Sequence, residues 1–206
     1  MAVSKGLILD RQHLGKTTYP GDMGATFDSK KDGKVGMEDT EVARTSALSH
    51  YINVEAALRG VLCVSLCHED YGKRHETANA IAKAIPDVTF AYLALHMNST
   101  GASLKNFYSL IGRDSRSNNG LRYATMLKAE LQKFAVFKDV RLEAVSSNSP
   151  EEWQRNVYAT IDGVYSGPAT LFGNCLELAF MQDPVLNTDA SLQLMAKAIV
   201  NAILAF

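Results

Sequence analysis

Two histidines, an acidic helix start and one carboxylate stranded in an apolar run are the residues whose types and spacing admit chemistry. His13 follows the apolar run Leu7-Ile8-Leu9 and Asp10, and His96 follows the apolar stretch Val88 to Leu95. If both runs are parallel strands, the two imidazoles emerge at one edge of a sheet, where ligand sites of α/β proteins gather. A catalytic zinc site takes three protein ligands from His and carboxylate and keeps a fourth position open. Glu38, Asp39 and Glu41 open the intervening helix and each could be the third ligand, although acids in a first turn also complement the helix dipole. Glu177 sits inside Asn174-Cys175-Leu176-Glu177-Leu178-Ala179-Phe180-Met181. Burying a lone charge is costly, so this carboxylate needs an ion-pair partner or a raised pKa, and the second suits a general base beside an activated water.

Other candidates carry less. Gly15-Lys16-Thr17 follows a strand and has the ending of a phosphate loop. However, the position five before Gly15 is Asp10 where that motif has glycine, so the backbone cradle cannot form. His50, His68 and His75 read as surface or core residues. Cys63-x3-Cys67 lacks a second pair at zinc-finger spacing, and with Cys175 it makes an odd set of thiols, read as free in a reducing compartment. Trp153, the single tryptophan, reads as packing its helix against the body, with an exposed ring that stacks on sugar as the alternative.

The elements that must position these residues follow from periodicity and punctuation. Strands are predicted at Gly6 to Asp10, Val61 to Leu66, Val88 to Leu95, Val140 to Val145 and Cys175 to Leu178. Helices are predicted at Glu38 to Leu58, ended by Gly60, at Tyr71 to Ile85, stopped by Pro86, and at Asn119 to Phe134 and Thr188 to Leu204. Ser149-Pro150-Glu151-Glu152 reads as one more helix start, with Ser149 as cap. The aperiodic stretch Gly15 to Gly36 reads as a long loop beside the first strand's end, of the kind that carries function. The alternation predicts an α/β fold: one domain over residues 1–206, with a twisted, mostly parallel sheet and helices on both faces.

Composition narrows the function classes. The chain has 206 residues, 47% of them hydrophobic, which suits a globular core and argues against disorder. Lys and Arg number 21 against 22 Asp and Glu, so no bulk positive field favours nucleic acid or an acidic membrane. No apolar run reaches the length of a membrane span, and Leu7-Ile8-Leu9 is too short for a secretory signal.

These residues, in this order, resemble the type 3 family of zinc-dependent N-acetylmuramoyl-L-alanine amidases. Ile8-Leu9-Asp10-Arg11-Gln12-His13-Leu14-Gly15 is similar to the family's opening strand and Asp-x-Gly-His-Gly-Gly signature, with Arg11, Gln12 and Leu14 replacing small residues. Ala94-Leu95-His96-Met97-Asn98 resembles its Ser-x-His-x-Asn motif. Leu176-Glu177-Leu178-Ala179-Phe180, followed by Asp183-Pro184, resembles its closing Val-Glu-x-Gly-Phe, with Ala179 in place of glycine. Arg74 before Ala78-Asn79 is similar to the family's Arg before an Ala-Asn pair.

The resemblance implies Zn²⁺ on His13, Glu41 and His96, with Glu41 chosen because the family's metal-binding glutamate lies about nineteen residues before the glycine that ends its helix; Glu38 is the fallback. It implies Glu177 as catalytic carboxylate and peptidoglycan as substrate, cut between muramic acid and L-alanine. It further implies a catalytic domain without a wall-binding module, and an endolysin-like protein held in the host cytoplasm until lysis. The rival readings are a related zinc amidohydrolase or carboxypeptidase acting on another peptide, such as γ-polyglutamate, and a metal-free wall-binding protein.

Overall fold

A computed structural model of the chain describes residues 4–11, 13, 24–28, 36–66, 71–100, 106–164 and 170–206. The elements run in the order β1 (Ser4–Arg11), α1 (Glu41–Leu58), β2 (Leu62–Leu66), α2 (Tyr71–Ala84), β3 (Val88–Asn98), β4 (Ser109–Asp114), α3 (Asn118–Leu131), β5 (Val140–Val145), α4 (Glu152–Ala159), β6 (Leu171–Phe180) and α5 (Asp189–Ala205). The six strands form one sheet in the order β2-β1-β3-β6-β4-β5. Pairings β1–β2, β1–β3, β3–β6 and β4–β5 are parallel, and β4–β6 is antiparallel. The fold is therefore α/β and mostly parallel, and β1, β3 and β6 lie side by side with their C-terminal ends on one edge.

The central strands are apolar on both faces because helices cover both. Leu7, Leu9, Ala91, Leu93 and Leu95 pack with Leu48 and Ile52 of α1, Tyr123 and Leu127 of α3, and Leu192 and Ile199 of α5. The alternate residues Ile8, Phe90, Tyr92 and Ala94 pack with Ala78 and Ala82 of α2 and Val157 of α4 on the opposite face. Among the described residues no helix is long and apolar enough to cross a membrane.

Several elements differ from the sequence expectation. Strand β3 runs on to Asn98, so His96 lies within it and not past its end, and α1 starts at Glu41, not Glu38, after a separate turn. Strand β4 falls where only a loop was expected: Ser-Leu-Ile-Gly-Arg-Asp has just two apolar residues, with Gly, Arg and Asp after them, and its pairing with β5 and β6 makes it a strand. Strand β6 extends well beyond Cys175 to Leu178. Helix α4 starts at Glu152 with Glu151 as cap, whose N–H donates to Gln154 Oε1 at 3.2 Å. The Ser149 hydroxyl instead accepts from the Ser146 N–H at 2.9 Å, so it closes the preceding turn and leaves the helix to another cap.

Cys63 and Cys175 are free thiols, and Cys67 lies outside the described residues. Burial pushes the Cys63 thiol up to about 12. Burial, with Glu177 nearby, also raises Cys175 well above the ordinary thiol range. Since the thiolate is the reactive form, both should resist iodoacetamide in the native protein at pH 8 and react after denaturation, as read by peptide mass mapping.

Candidate metal centre and its cleft

Helix α1 begins at the residue that matters most. Gly36 precedes a 3-10 turn, Met37–Asp39, and Thr40 then caps α1 by accepting the Ala43 N–H at 3.2 Å. Glu41 is thus the first residue of α1, almost fully buried at the sheet edge. Asp39 caps the turn instead, accepting the Gly36 N–H at 3.1 Å. Glu38 lies in the same turn, and its side chain is outside the described set.

The Glu41 carboxylate sits between the two histidines. Its Oε1 lies 2.9 Å from His96 Nδ1 and its Oε2 lies 3.5 Å from His13 Nε2. Backbone groups fix its orientation: the Met97 N–H donates to Oε1 at 3.0 Å and the Ala25 N–H to Oε2 at 2.8 Å. His13, Glu41 and His96 each offer a ligand atom, and these atoms lie within 4.8 Å of one another. The two imidazole rings stand edge to face with centroids 5.7 Å apart.

Backbone strain accompanies the cluster. His13 has φ +66°, a left-handed conformation that histidine adopts more readily than most side chains. It turns the chain just beyond β1. Gly24, at φ +70°, faces the cluster: a Cβ there would strike Glu41 Oε2 and come within 2.8 Å of His13 Cδ2. Only glycine can hold that backbone both left-handed and against the carboxylate.

Burial and charge act against each other here. Burial pushes the Glu41 carboxyl up, but the hydrogen bond and charge of His96, the charge of His13 and the Ala25 N–H together hold it below its ordinary value. Burial disfavours the charged His96 ring, yet the Glu41 hydrogen bond and the Glu41, Glu177 and Asp10 charges raise it. His96 Nε2 is buried and makes no hydrogen bond to any described residue.

Glu177 stands opposite His96 in the β3–β6 register. A bulge follows, so that Asn98 pairs with Phe180, and Asn98 Nδ2 donates to Glu177 Oε2 at 3.2 Å. Bulges beside sites of chemistry re-aim side chains, and this one brings Asn98 onto the carboxylate. Burial raises the Glu177 carboxyl, the nearby Glu41 charge raises it further, and His96 only partly offsets them. All four predicted residues line one cavity of about 730 Å³, which continues to Tyr108, Trp153 and Asn156.

The structure thus gathers His13, Glu41 and His96, and faces them with Glu177. Gly24, Ala25 and the Asn98 amide were not assigned roles from sequence. The first two fall in the aperiodic stretch Gly15 to Gly36, which offers no pattern to read, and most of that stretch lies outside the described residues. Of the remaining histidines, His50 is exposed on α1 and His68 is outside the described set. His75 is buried, with its Nε2 at 3.0 Å from the Thr160 carbonyl oxygen.

Two imidazoles and a carboxylate are the donor set of catalytic zinc sites. Tetrahedral bonds of roughly 2.0–2.1 Å put neighbouring ligand atoms roughly 3.3 Å apart, close to the separations seen around Glu41. The donors present therefore fit a zinc ion.

No protein-family profile and no curated protein sequence matches the chain. Its fold, however, is that of solved N-acetylmuramoyl-L-alanine amidases. The amidase AmiC2 of Nostoc punctiforme superposes with a TM-score of 0.64 at 17% identity, covering 98% of this chain and 96% of that one. An N-acetylmuramoyl-L-alanine amidase from Clostridium difficile 630 gives 0.67 at 11% identity, covering 100% and 97%. The catalytic domain of the CD27L endolysin, which targets Clostridia difficile, gives 0.61 at 16% identity, covering 98% and 97%. At these identities the likeness is one of fold.

Proposed function

We propose that residues 1–206 form the catalytic domain of a zinc-dependent N-acetylmuramoyl-L-alanine amidase, which hydrolyses the amide between muramic acid and L-alanine of peptidoglycan. The observation that carries this reading is the convergence of His13, Glu41 and His96 within 4.8 Å, opposite Glu177 and on a fold shared with such amidases. His13, Glu41 and His96 would hold the zinc. When bound there, zinc supplies Lewis acidity that makes water nucleophilic near neutral pH and polarises the scissile carbonyl.

The chain's own groups do the rest. The Met97 and Ala25 N–H groups hold the Glu41 carboxylate in one orientation, which fixes the ligand geometry before substrate arrives. Glu177 takes the proton of the attacking water and returns it to the departing L-alanine nitrogen. Its burial favours the proton-holding form that this second role needs. Asn98 keeps Glu177 Oε2 in place through its side-chain amide.

An endolysin role is part of the proposal. It is supported by the shared fold with an endolysin catalytic domain and by the sequence resemblance, and it places the chain's action on the host wall at lysis. The test uses purified sacculi. Chelator-treated protein is expected to lose activity, to regain it on adding zinc, and to release L-alanine amino termini while leaving free lactyl carboxyls on muramic acid. Cleavage inside the stem peptide would make it a peptidase, and full activity after complete metal removal would end the zinc reading. For the lysis role, induction together with a membrane-permeabilising holin should clear a culture that neither protein clears alone.

A further inference from the structure

The cavity extends well past the cluster, and its far end has a different character. Strand β3, which carries His96, is separated from β4 by β6 alone, so the two lie about 10 Å apart at the usual strand spacing. Helix α4 packs directly on β4: a Cβ on Gly112 would fall on Val157 Cγ1, and Val157 is buried. Gln154 ties the helix to β5, its Nε2 donating to Glu143 Oε1 at 2.5 Å, and Arg155 donates to the Ser149 and Pro150 carbonyl oxygens. The helix is therefore a fixed wall of the cleft.

Trp153 stands four residues before Val157, one turn along the same face, which carries its ring past the packed strand to the cavity rim. It is 44% exposed, although it is the largest apolar side chain available for burial. Among the described residues no ring, cation or hydrogen-bond acceptor engages it. The other aromatic groups at this end are already occupied: Arg141 lies over the Tyr108 ring at 3.8 Å, and Phe180 packs against Tyr108 and Phe107. Asn156 lines the cavity beside Trp153 and brings a carboxamide with two donors and an acceptor.

We propose that Trp153 and Asn156 form a carbohydrate subsite, in which the indole stacks on the apolar face of a pyranose ring and the carboxamide binds its hydroxyl or acetamido groups. The proposal rests on the peptidoglycan reading and assigns this end of the cleft to the N-acetylated sugar bearing the scissile lactyl amide. Two features favour sugar over stem peptide. A rigid aromatic face with an adjacent neutral amide matches a ring that is apolar on one side and hydroxylated at its edge. The stem peptide carries carboxylates, whereas no described residue lining the cavity is Lys or Arg. Strand β4, on which α4 packs, lies about two strand spacings from the strand of His96, which leaves room for a lactyl arm between the cluster and this end of the cleft.

Because Trp153 is the only tryptophan, its emission reports this position alone. Titrating the full chain with the peptide-free disaccharide N-acetylglucosaminyl-N-acetylmuramic acid should give a saturable blue shift, and the free stem peptide should give none. Asn156→Ala should weaken disaccharide binding roughly fivefold. In kinetics, Trp153→Ala should raise KM for a disaccharide-peptide about tenfold with little change in kcat. The ratio of kcat/KM for that substrate over a sugar-free lactoyl-peptide should fall by the same factor, and Trp153→Phe should restore most of it. A shift caused by the stem peptide instead, or equal losses on the two substrates, would overturn the subsite. If the parent protein hydrolyses neither substrate while the disaccharide shift persists, the subsite stands and the amidase reading falls.

Discussion

A Glu177→Gln protein is expected to bind zinc as tightly as the parent chain and to hydrolyse sacculi about 10²- to 10⁴-fold more slowly, the range typical for loss of a general acid–base group. The substitution keeps shape and an oxygen for the Asn98 amide, which donates to Glu177 Oε2 at 3.2 Å, so local geometry should persist. It removes the one function a carboxamide lacks, which is to take up and release a proton. Glu177 is not one of the three clustered ligand groups, and zinc content should therefore stay near one per chain by atomic absorption. Stability should hold or rise, because burial disfavours the Glu177 charge in the folded protein and the neutral amide relieves that cost. His96→Ala makes the contrast. It deletes a member of the cluster, and both zinc and activity should be lost together. A Glu177→Gln protein that retains more than a tenth of parental activity would remove Glu177 as the base, whatever the metal content.

How far the sequence disclosed this arrangement depends on which forces specify each part. Strands β1 and β3 were legible because both of their faces are buried, which demands unbroken apolar runs such as Leu7-Ile8-Leu9 and Val88 to Leu95. The polar residues at their ends, His13 and His96, then stand out, and adjacency of β1, β3 and β6 brings them toward Glu41 and Glu177. Strand β4 was illegible because its strand character comes from partners far along the chain. Helix α4 was legible as a helix, but its start was misplaced by the competing use of the Ser149 hydroxyl in the preceding turn. Glu41 could be preferred to Glu38 only through the family resemblance, since local spacing treats the acids of that region alike. Its three-residue setting, with N–H groups from Ala25 and Met97, is a tertiary product that no local pattern encodes.

The second large effect concerns a buried ion pair behind the cluster. Asp10 and Arg74 are both fully buried, and Arg74 Nη1 donates to Asp10 Oδ1 at 2.8 Å while the Tyr92 hydroxyl donates to Oδ2 at 2.5 Å. The pair joins the end of β1 to α2 and β3, three residues before His13. Arg74→Leu leaves the carboxylate buried without its guanidinium, a change that typically costs about 3–5 kcal/mol and here should lower the thermal midpoint by roughly 6–20 °C. The loss should also depend on pH, which separates lost charge from lost packing. Burial already pushes the Asp10 carboxyl up, with Arg74 and then Tyr92 opposing it, so removing Arg74 moves it higher still. A carboxyl whose folded pKa is raised is stable when protonated, and its contribution is lost as pH climbs through that folded value. The deficit of Arg74→Leu relative to the parent should therefore grow as pH rises in urea titrations. Asp10→Asn combined with Arg74→Leu should recover part of it at pH 8, because the buried carboxylate charge is then removed along with the guanidinium. A deficit that is constant with pH would mean that Arg74 acts through its packed stem rather than its charge. Because His13 hangs from the strand end that this pair anchors, weaker zinc retention should accompany the pH-dependent loss.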